Sequence, residues 1–187
     1  MEYAAALFGL TGVFLNARKM RLGFVFGLFS VLPYVWIFAQ SGLVGNAVLN
    51  FYFAVTCVSG WFFWRKNAVE SENYREGKMT VGDFGAAFFL FILVFASLLL
   101  AYNNFLSVYF LAAEGVERYA DVAITALSVS AQYLLMKGKR ENWLLWIPAN
   151  VISTVLFLSN GLYPTAALYF FYTILAIYGF LNWKDTL

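Results

Sequence analysis

Apolar residues in this chain fall in long blocks, and short polar segments separate them. The blocks lie near 3–17, 22–40, 43–64, 84–102, 119–136, 143–159 and 162–183. A helix of about 20 apolar residues crosses a bilayer, within a range of roughly 17–25. Lipid offers no partner to backbone polar groups, and strand-like alternation is absent, so each block predicts a helix. The pattern predicts an all-α integral membrane protein with seven transmembrane helices, the first of them the shortest.

Charge sets the expected orientation. Arg18, Lys19 and Arg21 follow the first block, Arg65, Lys66, Arg75 and Lys78 the third, and Lys137, Lys139 and Arg140 the fifth. Lys184 follows the last. Seven spans place all of these on one side and leave Arg118 alone on the other. Basic loops face the cytoplasm, so the N-terminus is expected outside and the C-terminus inside. The only early charge, Glu2, is acidic, and no basic stretch precedes the first block; the start reads as a span and not as a signal peptide.

The blocks also repeat. Residues 24–64 lie on 143–183 without a gap, pairing Phe38 with Phe157, Gly42 with Gly161, Leu43 with Leu162, Ala47 with Ala166, Leu49 with Leu168, Phe51 with Phe170, Gly60 with Gly179 and Trp64 with Trp183. The endings GWFFW and GFLNW are the strongest match, and the basic loops Arg18–Arg21 and Lys137–Arg140 correspond. Three spans reverse the chain, so one extra span, 84–102, makes the second copy parallel to the first. The expected plan is 3+1+3: a first three-helix repeat (1–66), a cytoplasmic loop, linker helix and outer connection (67–117), and a second repeat (118–187). Parallel repeats are a transporter architecture with the site near midplane between the units; a duplicated bundle serving only as a membrane scaffold is the alternative.

Composition narrows the function classes. Hydrophobic residues make up 63% and charged residues 12%, about half the charged fraction of a soluble domain. A net charge of +2 is too small to point to nucleic acid. The chain has no histidine and a single cysteine, Cys57, so there is no internal disulfide and no histidine to ligate a metal or act as a base. With no paired acids in mid-span either, an intramembrane enzyme is disfavoured. No P-loop is present, and no ionisable residue sits in mid-span, which favours facilitated diffusion over ion coupling. No cofactor is expected.

The richest polar face is on the sixth block. Trp143, Trp146 and Asn150 share one side of a helix, and Ser153 and Thr154 continue it. Their first-repeat counterparts are Phe24, Gly27 and Val31, so one copy is expected to line the site. Trp143 and Trp146 also suit an interfacial belt. Asn150, Asn50 and Gln132 suit either interhelical bonding or substrate contact. Asn50 and Phe53 are the counterparts of Tyr169 and Tyr172. Asp121 is expected in the first turn of the fifth helix, as a partner of the helix dipole or an attractor for a cationic substrate. Pro33 and Pro148 break backbone bonds in equivalent helices, and Gly23 and Gly27 have the spacing of a close helix contact. The stretch Phe105–Ala113 is an apolar patch in the outer connection.

The run ENWLLWIPANVIS (141–153) resembles the W-x-x-W-x-x-x-N signature of the PnuC family of nicotinamide riboside transporters. GWFFW (60–64), the Asp121…Gln132 helix and GLYPTAALYFFY (161–172) are similar to that family too, so the resemblance spans nearly the whole chain. It implies a 3+1+3 fold related to SWEET proteins, and uptake of nicotinamide riboside across the bacterial inner membrane by facilitated diffusion. Trapping by a cytoplasmic kinase and a homotrimer are also implied. Trp143, Trp146 and Asn150 would then line the site, with Asn50, Tyr169 and Tyr172 opposite. Asn50 stands where a glutamine is expected, and relatives carry thiamine or riboflavin. An aromatic cage suits either cationic ligand, nicotinamide riboside or thiamine, at about 0.5–2 kcal/mol per cation–π contact.

Overall fold

The computed structural model describes residues 2–40, 44–67, 79–102 and 116–183. They form seven α-helices: α1 (Glu2–Ala17), α2 (Leu22–Gln40), α3 (Val44–Asn67), α4 (Val81–Ala101), α5 (Val116–Met136), α6 (Asn142–Ser159) and α7 (Tyr163–Asn182). Five of these, α2, α3, α4, α6 and α7, are long and apolar enough to cross a membrane. The apolar stretch of α1, Ala4–Ala17, is shorter. In α5 the apolar pattern is interrupted by Asp121, Thr125, Ser128, Ser130 and Gln132, but α3, α4 and α6 pack around this helix and bury the last three. Polar side chains that are costly against lipid are tolerated inside a bundle. The outer surface is apolar: Leu7, Phe29, Trp36, Phe62, Phe89 and Leu181 are each more than half exposed, as suits a lipid environment and not water.

Six helices close a ring. Helix α1 packs on α2, α2 on α3, α3 on α5, α5 on α6, α6 on α7, and α7 on α1. Helix α4 packs on α5. At one end of the ring Ala17, Phe24, Trp64, Leu135, Trp143 and Trp183 form a buried cluster. It joins the C-terminal ends of α1, α3, α5 and α7 to the N-terminal ends of α2 and α6. At the same end Asp83 of α4 pairs with Lys139 at 3.1 Å. Asp83 also closes a capping box with Thr80, which starts α4 at Val81 and not at 84. Higher up, the buried Ser130 hydroxyl donates to the Ala87 carbonyl at 3.0 Å, a second tie between α4 and α5.

Contacts recur at the repeat offset. Phe24 sits edge-on to Trp64 with ring centres 4.9 Å apart, and Trp143 sits edge-on to Trp183 at 5.6 Å. Gly60 and Gly179 each leave room for an aromatic ring; a side chain there would come within 2.5 Å of Phe24 or Trp143. Arg21 lies over Trp61 and Arg140 over Phe180, at 5.2 and 4.1 Å. The chain leaves α1 and α5 through the same turn: Lys19 (φ 61°) and Gly138 (φ 65°) are left-handed. Met20 N–H bonds the Leu15 carbonyl, and Lys139 N–H the Leu134 carbonyl, each at 2.9 Å. These bonds satisfy carbonyls at the helix ends. Gly161 (φ 70°) makes a third such turn after α6; its counterpart Gly42 lies outside the described residues, as do Leu43, the linker charges from Glu70 to Lys78, Lys184 and the Phe105–Ala113 patch.

The copies differ where α1 meets α2. Gly12 and Gly27 touch backbone to backbone, and the Asn16 side chain fills the space beside Gly23. The α5–α6 counterparts are Ala131, Trp146 and Asn142. The first pair therefore approaches closely through glycine, whereas the second has an alanine, a tryptophan and an asparagine at the same positions, the tryptophan packed on the buried cluster.

Gly60→Ala and Gly179→Ala are each expected to lower the melting temperature in detergent. Overpacking a buried ring costs about 1–3 kcal/mol, which exceeds the helix-propensity gain of about 1 kcal/mol. Gly85→Ala, with open space around it, should show only the gain. Equal melting of all three variants would contradict the tight ring contacts.

Candidate substrate-binding site

Helical rise places the candidates in tiers above the tryptophan cluster. At about 1.5 Å per residue, Trp143 lies within the cluster and Trp146 and Gln132 about 5 Å above it. On the same scale Asn150 lies about 10 Å up and Tyr172 about 16 Å, while Asn50, Tyr169 and Asp121 lie about 21 Å up. The candidates thus stand at different heights along the ring and do not form one shell.

In the lowest tier Trp143 is 1% exposed and wedged between Trp183 and Gly179. Its indole nitrogen has no hydrogen-bond partner among the described residues. The partly buried Trp146 packs on the same cluster. Gln132 reaches across from α5 to α3, its amide nitrogen 3.9 Å from the Cys57 sulfur. The Tyr52 hydroxyl makes a parallel tie, donating to the Val129 carbonyl at 2.9 Å. Both bonds cross the α3–α5 seam.

Asn150 is buried in α6. The hydroxyls of Ser153 and Thr154 turn back onto the carbonyls of Ala149 and Asn150, each at 2.8 Å, and satisfy themselves within the helix. Pro148 lacks an N–H, so the Leu144 carbonyl loses its usual donor, nearly two turns below Asn150. Pro33 does the same to Phe29 in α2.

The upper tiers are aromatic. Tyr169 stacks on Phe157 with centres 5.2 Å apart and meets Tyr172 edge-on at 5.8 Å. The Tyr172 hydroxyl reaches α1, where it occupies the space a Gly9 side chain would take. Asn50 donates to the Asn46 carbonyl of its own helix at 2.9 Å. Because α5 starts at Val116, Asp121 falls in its second turn; Glu117 takes the first-turn position expected of Asp121. The exposed Asp121 accepts a hydrogen bond from the Tyr102 hydroxyl at 2.9 Å, joining the top of α4 to α5.

Sequence reasoning missed Gly9, Ser30, Tyr34 and Phe157 as parts of this interior. Phe157 appeared only as a repeat match. Gly9 is legible only once Tyr172 is seen against it. Among the described residues no group of acids and cysteine could hold a metal ion. Two apolar grooves, one lined by Phe8, Val25, Phe26 and Phe29 and the other by Phe24, Leu28, Cys57 and Trp61, run along α2 and contain no candidate.

Known proteins share this fold. A family model described as nicotinamide mononucleotide transporter matches residues 1–185. The nicotinamide riboside transporter PnuC of Escherichia coli (strain K12) is 26% identical, over 100% of this chain and 85% of its own length. That of Haemophilus influenzae (strain ATCC 51907 / DSM 11121 / KW20 / Rd) is 28% identical over 97% of this chain and 79% of its own length. The crystal structure of the vitamin B3 transporter PnuC matches with a TM-score of 0.69 and 24% identity, covering 96% of this chain and 78% of that one; it shows the same fold. With the family model matched over nearly its whole length, the chain belongs to the nicotinamide mononucleotide transporter family.

Proposed function

We propose that this protein takes up nicotinamide riboside across the bacterial inner membrane by facilitated diffusion, with cytoplasmic phosphorylation trapping the substrate. The observation that carries the substrate class is the separation of cations from the interior. The described basic residues, Arg118 aside, cluster at the tryptophan end of the bundle, where Arg18, Arg21, Lys137 and Arg140 lie over aromatic rings. Arg118 lies over Tyr119, near the other end. The path between holds tryptophan, tyrosine and amide side chains. Such a path suits a cationic ring and sugar hydroxyls, whereas a mononucleotide phosphate calls for Arg or Lys. The riboside therefore fits better than the phosphorylated form named by the family, and the relatives' names agree with that choice.

In this reading Trp146, Asn150, Gln132, Asn50, Tyr169 and Tyr172 contact substrate along the path. Trp143 backs Trp146 from the core, and Asp121 draws the cation to the outer mouth. The chain works as two three-helix repeats, 1–66 and 118–187, with α4 and its flanking loops (67–117) as the linker. This is a 3+1+3 plan related to that of SWEET proteins. The recurring ring, arginine and turn contacts support it. The N-terminus lies outside, the basic end faces the cytoplasm, and the working form is a homotrimer coupled to a cytoplasmic kinase.

Calorimetry of the purified protein against nicotinamide riboside, nicotinamide mononucleotide, thiamine and riboflavin is expected to show tightest binding of the riboside. Tight binding of thiamine alone would overturn the substrate and spare the transporter. Trp146→Ala should weaken riboside binding about 3- to 30-fold, the span of one cation–π contact. Unchanged affinity would make Trp146 a packing residue. In proteoliposomes, riboside uptake should reach equilibrium without an imposed ion gradient, and an enclosed kinase with ATP should raise accumulation beyond that level. A requirement for a proton or sodium gradient would exclude facilitated diffusion. A complete lack of uptake would favour the scaffold.

A further inference from the structure

The second repeat carries the tryptophan–asparagine face, and Phe24, Gly27 and Val31 leave the first without a counterpart at that level. Higher up, α2 presents a polar edge of its own. Ser30 and Tyr34 are one turn apart on one face of the helix. The Ser30 hydroxyl donates to the Ala5 carbonyl of α1 at 2.9 Å. It also borders the space a Gly9 side chain would fill, where the Tyr172 hydroxyl sits. The Ser30 edge of α2 thus faces both Gly9 and Tyr172. Tyr34 continues that edge, stacks on Phe38 with centres 5.7 Å apart, and lies within electrostatic range of both Tyr169 and Tyr172. By helical rise Tyr34 stands about 15 Å above the tryptophan cluster, level with Tyr172. Helix α1 presents Gly9 here, which leaves room for the Tyr172 hydroxyl of α7 beside the Ser30 edge of α2.

A phenol both donates and accepts a hydrogen bond, as a sugar hydroxyl does. Tyr34 and Tyr172 at one level, with Tyr169 about one turn above them, suit a ribose, while the cationic ring is left to the aromatic faces. We propose that Tyr34 is a substrate-contacting residue supplied by the first repeat, whose phenol joins those of Tyr169 and Tyr172 in a collar around the ribose hydroxyls. This inference rests on the riboside reading above. It makes the site a joint product of both repeats, so that binding senses how far apart they stand.

The test compares wild type with Tyr34→Phe, using nicotinamide riboside and N-methylnicotinamide, which keeps the cationic ring but has a methyl group in place of the ribose. Loss of one hydrogen bond should weaken riboside binding about 3- to 10-fold. The melting temperature and the affinity for N-methylnicotinamide should stay unchanged. Unaltered riboside affinity, or an equal loss for both ligands, overturns the collar while leaving the transporter reading in place. Wild-type protein that does not bind the riboside at all overturns the reading beneath the collar as well.

Discussion

The indole of Trp183 ties the ring shut. Its N–H is shared between the carbonyls of Asn16 and Ala17, at 3.2 and 3.1 Å, at the end of α1. The Asn16 carbonyl also accepts from the Lys19 N–H at 2.9 Å, but the Ala17 carbonyl at the helix end has no donor within the helix, and in an apolar setting an unmet carbonyl is costly. The neighbouring Asn182 amide also bonds the Ala17 carbonyl, at 2.9 Å. The Trp183 ring meanwhile takes the edge of Trp143 and meets Trp64 at 5.5 Å. One side chain thus satisfies the first helix, anchors the last, and brings the two repeat-equivalent tryptophans together. The tier spacing of every candidate residue is counted from this point.

On that shared frame the copies diverge through volume. The glycines of α1 and α2 let two backbones touch, which helps apolar helices associate by packing alone. The matching positions in the second half are Ala131, Asn142 and Trp146, and Trp146 packs on the buried cluster. An identical pair of glycine seams would leave no large aromatic at these positions. A pair of open seams would forgo the backbone contact that holds α1, a short helix with few other anchors.

Much of this was legible in the sequence because lipid imposes simple rules. Long apolar blocks became helices, and the Gly/Trp endings marked two like contacts, since Gly60 and Gly179 each leave space for an aromatic ring, Phe24 or Trp143. The start of α5 was less legible. Glu117 and Arg118 read as loop because they are charged, yet they form the helix's first turn, so Asp121 moved from a dipole partner to the acceptor of Tyr102. The depth of Trp143 was also hidden: at the start of a span a tryptophan suits the interface as well as the core, and only the missing side chain of Gly179 shows why it is buried. Tyr34 was lost among many aromatics. No periodic rule separates a tyrosine facing lipid from one facing another tyrosine on a distant helix.

The seams between the halves constrain how such a ring opens. Helix α1 meets α7 through Asn182 and Trp183, and α3 meets α5 through Tyr52 and Gln132, while Asp83–Lys139, Ser130–Ala87 and Tyr102–Asp121 bind α4 to α5 and its following loop from bottom to top. Among the described residues, α4 is thus tied to α5, and in the proposed cycle the moving bodies would be α1–α3 and α4–α7. Opening toward the basic end has to part Trp183 from the α1 carbonyls and Trp64 from Trp183, which exposes polar backbone that only incoming water could satisfy. Opening toward the far end has to draw the Tyr172 hydroxyl away from the space beside Gly9 and Ser30, which a sugar hydroxyl could take up. The two ends are thus closed by different chemistry. The aromatic end resists opening until water can enter, and the phenolic end is suited to yield to substrate.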